Sequence, residues 1–247
     1  MTTVIAEIPF EVAYKAPSAT LGDIGHKIGQ LARTPDGSLW RLCKAGAAIS
    51  NPLLGVGCYS QPVDCTPSAT AAGETELIVT DASCAKDDYA DGTIIIGAAA
   101  ASRRFYHIKS NTKSDATYTT LTLYHPLLVA VAGTEWATIT PCRFRDVRPL
   151  SAAAGYMSVV CMPLQTVTSA YYFWGKVRGP VFGVVSSTVP GAAGNDRQIV
   201  FQGTDGALIM ADEAWNAGNS QQHAGWLIPR TGGDYGGGDQ DFMLQLE

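Results

Sequence analysis

The stretch TYTTLTLYHPLL, residues 117–128, decides the fold class. In it Thr119, Leu121 and Leu123 alternate with hydroxyl and aromatic side chains until Pro126 interrupts the pattern. Successive side chains of a β-strand point to opposite faces, so one face of this strand is apolar and the other is polar and aromatic. Proline lacks the N–H that a strand ladder needs, and the strand is expected to end before it. The stretch therefore predicts a half-buried β-strand.

Turn signals beside apolar or aromatic runs recur along the rest of the chain. Asp91-Gly92 precedes the run 94–96, Pro35-Asp36-Gly37 precedes the run 39–43, and GTDG at 203–206 separates two apolar runs. Such turn residues between apolar runs are the strongest short-range signal of a hairpin. Further strands are predicted at 104–109, 226–228 and 242–246, with a bend or sheet edge at Gly179-Pro180.

The composition favours strands over helices. Turn and strand formers are abundant, with 26 glycines among them, whereas runs of Glu, Lys, Leu and Arg are scarce. The chain is therefore predicted to be all-β, with antiparallel β-barrel or sandwich units joined by Gly, Pro and Asp turns and with little helix. Three segments are expected: an N-terminal arm and small β segment at 1–60, a central β domain at 61–150 and a C-terminal β domain at 151–247. We hypothesise that residues 1–17 order only on binding, so that their deletion would leave the fold intact.

The low charge of the chain indicates assembly. Charged residues make up 16% of it and apolar residues 46%, against about 25% charged residues in ordinary soluble domains. A neutral surface suits large, permanent contacts between subunits. The net charge of -5 gives no basic footprint for nucleic acid, so no direct nucleic-acid partner is expected. The nearest basic cluster, Arg143, Arg145 and Arg148, is interrupted by Asp146 and is interpreted as a solvated or salt-bridged loop edge.

The sequence also indicates a compartment. No apolar run approaches the ~18 residues of a membrane span, and residues 1–17 lack the basic and apolar regions of a signal peptide. We expect no membrane partner and folding in a reducing cytoplasm. Cysteines occur at positions 43, 58, 65, 84, 142 and 161 without a CxxC pair. They are interpreted as buried thiols, with a late disulfide as the alternative, for which Cys58 and Cys65 are the closest pair in sequence.

No spacing in the sequence brings catalytic groups together. The histidines, at positions 26, 107, 125 and 223, form no HxH or HExxH pattern, and no serine lies in a GxSxG motif. The glycine strings near Gly191 and within 231–240 lack the lysine and helix of a phosphate loop. The chain is therefore predicted not to be an enzyme, with no catalytic, cofactor-binding or metal-binding residues. No cofactor and no small-molecule ligand are expected.

Three groups of residues leave two interpretations open. The carboxylates within 87–91 and 205–213 either form turns or bind calcium. His107 and His125 either end strands or face each other across a sheet. The aromatic run 171–174 either packs in the core or a subunit interface, or stacks on sugars, with two of its members free to face outward.

The order of these features resembles a group of structural proteins of tailed bacteriophages that are encoded near the capsid gene and decorate or cement the head. A DG turn leads into an aromatic strand and a KAGA segment, and a second DG turn opens a pair of strands that ends in His125-Pro126. The resemblance spans most of the chain and lies in LGDIGHKIGQLARTPDGSLWRLCKAGAAI (21–49), YADGTIIIGAAAASRRFYHIKS (89–110), TLTLYHPL (120–127), AYYFWGKVRGPVFGVV (170–185), GTDG (203–206) and AGWLIP (224–229).

The resemblance implies a homotrimer that binds the major capsid protein and copies of itself on the capsid surface of the virion, after folding in the host cytoplasm. It implies stabilisation of the particle without catalysis. Six cysteines are more than such a virion protein is expected to have. The alternative is a phage tail or adhesin-type carbohydrate-binding module that uses the aromatic run or the glycine-rich loop near the C-terminus.

Overall fold

The computed structural model describes residues 5–23, 25–98, 102–151, 157–186, 198–211, 221–228 and 240–247. It confirms the all-β prediction, because helix within these ranges is limited to short pieces such as α1 (Phe10–Ala13) and a 3-10 turn (Leu21–Asp23). The chain divides into two compact units. Unit 1 comprises Met1–Tyr59 and Phe144–Glu247, and unit 2 comprises Ser60–Arg143.

The strands are, in chain order, β1 (Ala6–Glu7), β2 (Leu31–Arg33), β3 (Leu39–Lys44), β4 (Val56–Cys58), β5 (Val63–Cys65), β6 (Glu76–Thr80), β7 (Thr93–Ala98), β8 (Ser102–Asn111), β9 (Tyr118–Leu123), β10 (Trp136–Thr140), β11 (Val147–Pro149), β12 (Val159–Cys161), β13 (Tyr172–Gly183), β14 (Gln198–Gln202), β15 (Leu208–Met210), β16 (Gln221–Leu227) and β17 (Gln240–Gln245).

Unit 2 is a sheet of six strands that closes on itself. Its strand order is β5-β10-β7-β8-β9-β6, and every neighbouring pair is antiparallel. The edges meet just beyond β5, where the Ser68 N–H donates to the Ile78 oxygen at 2.8 Å and the Thr80 N–H donates to the Thr66 oxygen at 3.0 Å. The closed sheet surrounds one apolar core that receives side chains from all six strands.

Strand β9 has the alternation that its sequence predicts. Thr119, Leu121 and Leu123 are buried, while the side chains between them are half-buried or exposed. The strand ends before Pro126, and the predicted strand 104–109 lies within β8. The Asp91-Gly92 turn leads into β7, and Asp91 adopts a left-handed backbone conformation with φ of 61°.

Unit 1 contains an eight-stranded sheet and a three-stranded sheet. The larger has the order β1-β2-β3-β13-β17-β16-β14-β15 and the smaller has the order β11-β4-β12. The pairs are antiparallel except β1 and β2, which run parallel. The GTDG hairpin is confirmed between β14 and β15, where the Gln202 N–H donates to the Ala207 oxygen at 2.8 Å. The runs predicted at 39–43, 226–228 and 242–246 correspond to β3, β16 and β17, with ends shifted by one or more residues.

The two outer predicted segments, 1–60 and 151–247, belong to the same unit. β3 pairs with β13, from Lys44 opposite Tyr172 to Leu39 opposite Arg178. Local turn and strand signals do not reveal a pairing between residues so far apart in sequence. The structure therefore divides the chain differently from the three predicted segments, with unit 2 taking most of the central one.

Residues 5–17 are packed into unit 1, so the hypothesis of a separate arm is corrected for them. The Ile8 N–H donates to the Arg33 oxygen at 2.9 Å, beside the β1–β2 pair. Ile8 and Ala13 are buried in one apolar cluster with Trp40. Residues 1–4 of the hypothesised arm lie outside the described residues.

The bend or edge predicted at Gly179-Pro180 lies within β13, after that strand has passed the end of β3. The register with β3 shifts between Lys176 and Arg178, whereas pairing with β17 continues to Gly183. The Pro180 oxygen accepts a hydrogen bond from Nζ of buried Lys176 at 2.6 Å. Burial lowers the pKa of Lys176, against an opposing effect of the Asp36 carboxylate. Proline is tolerated here because this side of the strand has lost its ladder partner.

We expect Ile8→Ala to lower the free energy of unfolding by about 2–4 kcal/mol, because it removes buried methyl groups and leaves a cavity beside Trp40. Ile5→Ala is the matched control: Ile5 is 45% exposed and Ile8 only 3% exposed, so the control should change stability by less than about 0.5 kcal/mol. Urea unfolding of both variants measures the difference. Equal, small effects would contradict the packing of this segment.

Candidate functional site

The most distinctive surface of unit 2 is an outward-facing row of large side chains on β10, β7 and β8. Phe105 lies opposite Ile95, and Trp136 lies opposite Gly97, two residues further along β7. Phe105 is 67% exposed and Trp136 is 50% exposed. Their strand neighbours Tyr106 and Ala137 belong to the core, so Phe105 and Trp136 occupy the outer face of the sheet. We call Ile95, Arg103, Phe105 and Trp136 the Trp136 face.

The Trp136 ring is held across the sheet by its neighbours. A Cβ atom on Gly97 would fall 2.1 Å from the ring, so only glycine leaves room for the indole at that position. The Arg103 guanidinium lies 5.9 Å from the ring centroid, within the range of a cation–π contact. The ring thus packs against Gly97 and Arg103, and such contacts reduce the conformational entropy that binding would cost.

An open cleft of about 450 Å³ lies beside Trp136. It is lined by Asp64, Cys65, Thr66, Thr80, Trp136 and Ala137. The Thr138 hydroxyl donates to Oδ1 of Asp64 at 2.7 Å, which orients the carboxylate. An aromatic ring beside a carboxylate and hydroxyls can stack on an apolar surface and accept or donate hydrogen bonds.

The Cys65 thiol in this cleft is a poor nucleophile. Burial, with added repulsion from the Asp81 and Asp64 carboxylates, raises its pKa to about 12. The thiolate is the reactive form of cysteine, and at neutral pH almost none is present here. Cys65 therefore acts as a small apolar residue, as the sequence predicted for the cysteines.

A second polar cluster in unit 2 fixes the segment between β6 and β7. The Tyr89 hydroxyl donates to Asp81, and Asn111 accepts from the Tyr89 N–H at 2.8 Å and donates to the Ala85 oxygen at 2.9 Å. Cys84 contacts the Thr119 hydroxyl at 3.3 Å. Burial raises the pKa of Cys84. These groups satisfy one another and the backbone, which is the work of a structural network.

The histidines are dispersed. His107 and His125 are both exposed, while His26 lies against the Trp174 ring with centroids 5.2 Å apart and His223 contacts Gln198 at 3.3 Å. Within the described ranges, no three His, Cys, Asp or Glu side chains are grouped so that they could hold a metal ion. In the same ranges, no helix has the length and apolar character needed to cross a membrane.

The carboxylates for which calcium was the alternative take part in turns where they are described. Asp88 accepts from the Ala85 N–H at 2.7 Å, Asp205 accepts from the Ala207 N–H at 2.9 Å, and Asp91 accepts from the Tyr124 hydroxyl at 3.0 Å. The first two bonds fix local bends of the chain, whereas the third joins the Asp91-Gly92 turn to the end of β9. Asp212, Glu213, the glycine string near Gly191 and residues 231–239 of the glycine-rich loop lie outside the described residues.

The aromatic run lies in and beside the core, and one arginine of the basic cluster forms an ion pair. Phe173 and Trp174 are adjacent in β13 and both buried, because the first half of this central strand is covered on both of its faces. The expectation that two members of the run could face outward is therefore only partly met, since Tyr171 and Tyr172 are half-buried.

Arg148 pairs with Asp146 at 2.8 Å and stacks on a tyrosine ring, in line with a salt-bridged loop edge.

Sequence reasoning missed the Trp136 face, although a signal for it exists. In EWATIT, residues 135–140, Ala137 and Ile139 alternate with Trp136 and Thr138. With the apolar pair in the core, this alternation assigns the tryptophan to the solvent face. A tryptophan at a solvent-facing position of an alternating strand is therefore the sequence signal for this surface.

We expect Tyr89→Phe to destabilise the protein more at pH 7 than at pH 3. Burial acts to raise the pKa of Asp81, but hydrogen bonds from Tyr89 and from the Ser83 and Cys84 backbone outweigh it and lower that pKa. The ionised carboxylate thus contributes stability above its unfolded pKa of about 3.9, and this contribution is lost as the pH falls through the folded value. The loss of the hydroxyl should cost about 1–2 kcal/mol at pH 7.

Urea unfolding at both pH values measures this difference. Tyr118→Phe is the control, since Tyr118 is exposed, and it should change stability little at either pH. An equal loss for Tyr89→Phe at pH 7 and pH 3 would show that the Asp81 bond does not depend on ionisation.

Comparisons with known proteins assign no family to the chain. No protein-family model matches it, and no curated protein or solved structure is similar enough to count as a match. What the chain does is therefore inferred from its own residues.

Proposed function

We propose that the chain is a structural protein of a tailed-bacteriophage particle that decorates or cements the capsid. It binds the major capsid protein and copies of itself, as a homotrimer, and performs no catalysis. The proposal combines the order of sequence features that resembles capsid-decorating proteins with a low charge content of 16%. It places the protein on the capsid surface of the virion after folding in the host cytoplasm.

The Trp136 face is the observation that supports this function best. Phe105 is more than half exposed and Trp136 is half exposed. Both lie on the outer face of the closed sheet. Interface centres are enriched in aromatic and arginine side chains and depleted in other charged groups. A contact through Ile95, Arg103, Phe105 and Trp136 would have this composition. We therefore assign the particle contact to the Trp136 face.

Phe105→Glu should reduce binding to capsids about tenfold or more, because a buried, unpaired carboxylate would replace an aromatic anchor. The test uses heads purified from a phage in which the gene for this chain has been deleted, to which the purified chain is added back. Co-sedimentation measures occupancy against protein concentration. The unaltered chain should saturate the heads.

Phe182→Glu is the matched control, since Phe182 is also half-exposed but lies in unit 1. It should bind like the unaltered chain, and light scattering should give both variants the oligomeric mass of that chain. Failure of the unaltered chain to bind would overturn the capsid function. Binding that is lost equally in both variants would overturn the assignment to the Trp136 face.

A carbohydrate-binding module is the second candidate function, and the cleft beside Trp136 favours it. Sugar rings stack their apolar face on exposed aromatic rings and exchange hydrogen bonds with carboxylates and hydroxyls. Asp64, Thr66 and Thr80 supply such groups beside the ring. This site differs from the aromatic run that the sequence indicated, because Phe173 and Trp174 are buried.

A glycan array separates the two candidates. If the cleft binds sugars, the unaltered chain should give specific signals that Trp136→Ala abolishes and Trp226→Ala retains, since Trp226 is exposed to a similar extent in unit 1. If the array gives no signal and the chain binds capsids, the carbohydrate-binding function is rejected and the structural function remains.

A further inference from the structure

Two buried sulfur atoms of unit 1 lie close to each other. Cys43 belongs to β3 and Cys161 ends β12, so the pair connects the eight-stranded sheet with the three-stranded sheet. Their Sγ atoms are 3.5 Å apart, and both residues are 0% exposed. A disulfide is about 2.05 Å long, so the sulfurs need to approach by ~1.5 Å, the difference between these two distances. Small rotations of the two side chains can supply this.

The space that the two sulfurs share depends on Gly175. A Cβ atom at that position would lie 2.4 Å from Sγ of Cys161 and 3.4 Å from Sγ of Cys43. Any side chain there would push at least one sulfur away. Glycine on the central strand β13 therefore keeps the two thiols side by side in a closed part of the core.

The pair also occupies a special place in the chain. Cys43 and Cys161 are 118 positions apart, and the whole of unit 2, Ser60–Arg143, lies between them in sequence. The two parts of unit 1 are covalently connected only through unit 2. A bond between these cysteines would connect the two parts directly. The pair nearest in sequence, Cys58 and Cys65, instead divides between unit 1 and unit 2.

We infer that Cys43 and Cys161 form an intramolecular disulfide when the folded chain meets a small oxidant of the peroxide class. One cysteine thiolate attacks a peroxide oxygen, the O–O bond breaks, and the leaving hydroxide takes up the thiol proton as water. The second sulfur attacks the resulting sulfenic acid, the S–S bond forms, and a second water leaves. Two thiols are oxidised by two electrons, and one peroxide is reduced to two waters.

The surroundings of the pair make this a slow reaction with a small reagent. Burial, with a further effect of the Cys161 thiol, raises the pKa of Cys43 well above its ordinary value. Thiolate is therefore scarce at neutral pH. Glutathione disulfide is too large for a fully buried site, whereas a peroxide can enter with small openings of the sheets. The inference does not depend on the proposed function, because it needs only the folded chain and an oxidant.

The crosslink should raise the melting temperature of unit 1 by about 10 °C, because it closes a very long loop in the unfolded chain. The experiment treats the purified full chain with hydrogen peroxide, alkylates it under denaturing conditions and maps the unreduced peptides by mass spectrometry. We expect a linked peptide of Cys43 and Cys161, with the chain lighter by two hydrogens. The double variant C43S/C161S should lose this peptide and the shift in melting temperature. Cys142→Ser, at another buried cysteine, should retain both.

A second measurement works even where the serine variants fold poorly. A protease site is placed at the exposed Leu128-Val129 loop of unit 2, and the oxidised chain is cut there. In denaturing gel electrophoresis, the two fragments should migrate as one band without reductant and as two bands with reductant. Alkylated Cys43 and Cys161 after peroxide, oxidation of either to a sulfinic acid, or linked peptides of other cysteines would overturn the inference.

Discussion

The pairing of β3 with β13 is the constraint on which unit 1 depends. It joins the chain before residue 60 to the chain after residue 143, in the middle of the eight-stranded sheet. The same constraint requires that the chain leaves unit 1 and re-enters it at neighbouring points. β4 and β11 meet this requirement, since Cys58 lies opposite Val147 and the Tyr59 N–H donates to the Asp146 oxygen at 3.0 Å. An inserted unit with adjacent ends disturbs its host least.

Burial on both faces explains the composition of residues 173–177 of β13. A central strand between two packed layers is expected to be apolar throughout, and β13 carries Phe173, Trp174 and Val177 on opposite faces without exposure. Gly175 leaves room for the sulfurs on one face, while Lys176 spans toward Pro180 on the other. The closed sheet of unit 2 differs, because only its inner face needs to be apolar. Its outer face is therefore open to selection for contacts.

The sequence predicted local features well and long-range features poorly. The alternation in β9, the Asp91-Gly92 turn and the GTDG hairpin depend on residues within a few positions of one another, so their signals are local. Three features depend on which strands meet, which periodicity does not encode. They are the β3–β13 pairing, the burial of Ile8 in the cluster of Trp40, and the proximity of Cys43 to Cys161. Strand alternation could have placed Trp136 outside, but its neighbours on β7 and β8 follow only from the register.

The arrangement of the Trp136 face favours a protein partner over a sugar. A sugar site needs polar groups around the ring, and here the cleft beside the ring supplies the Asp64 carboxylate and the Thr66 and Thr80 hydroxyls. Toward β8 the surface continues as Ile95 and Phe105, with Phe105 more exposed than the tryptophan itself. This apolar extension is wider than one sugar ring can cover. Its burial contributes most to the binding free energy when a large partner surface excludes water from the whole extension. Arg103, stacked on the indole, can still donate hydrogen bonds at the rim of such a contact.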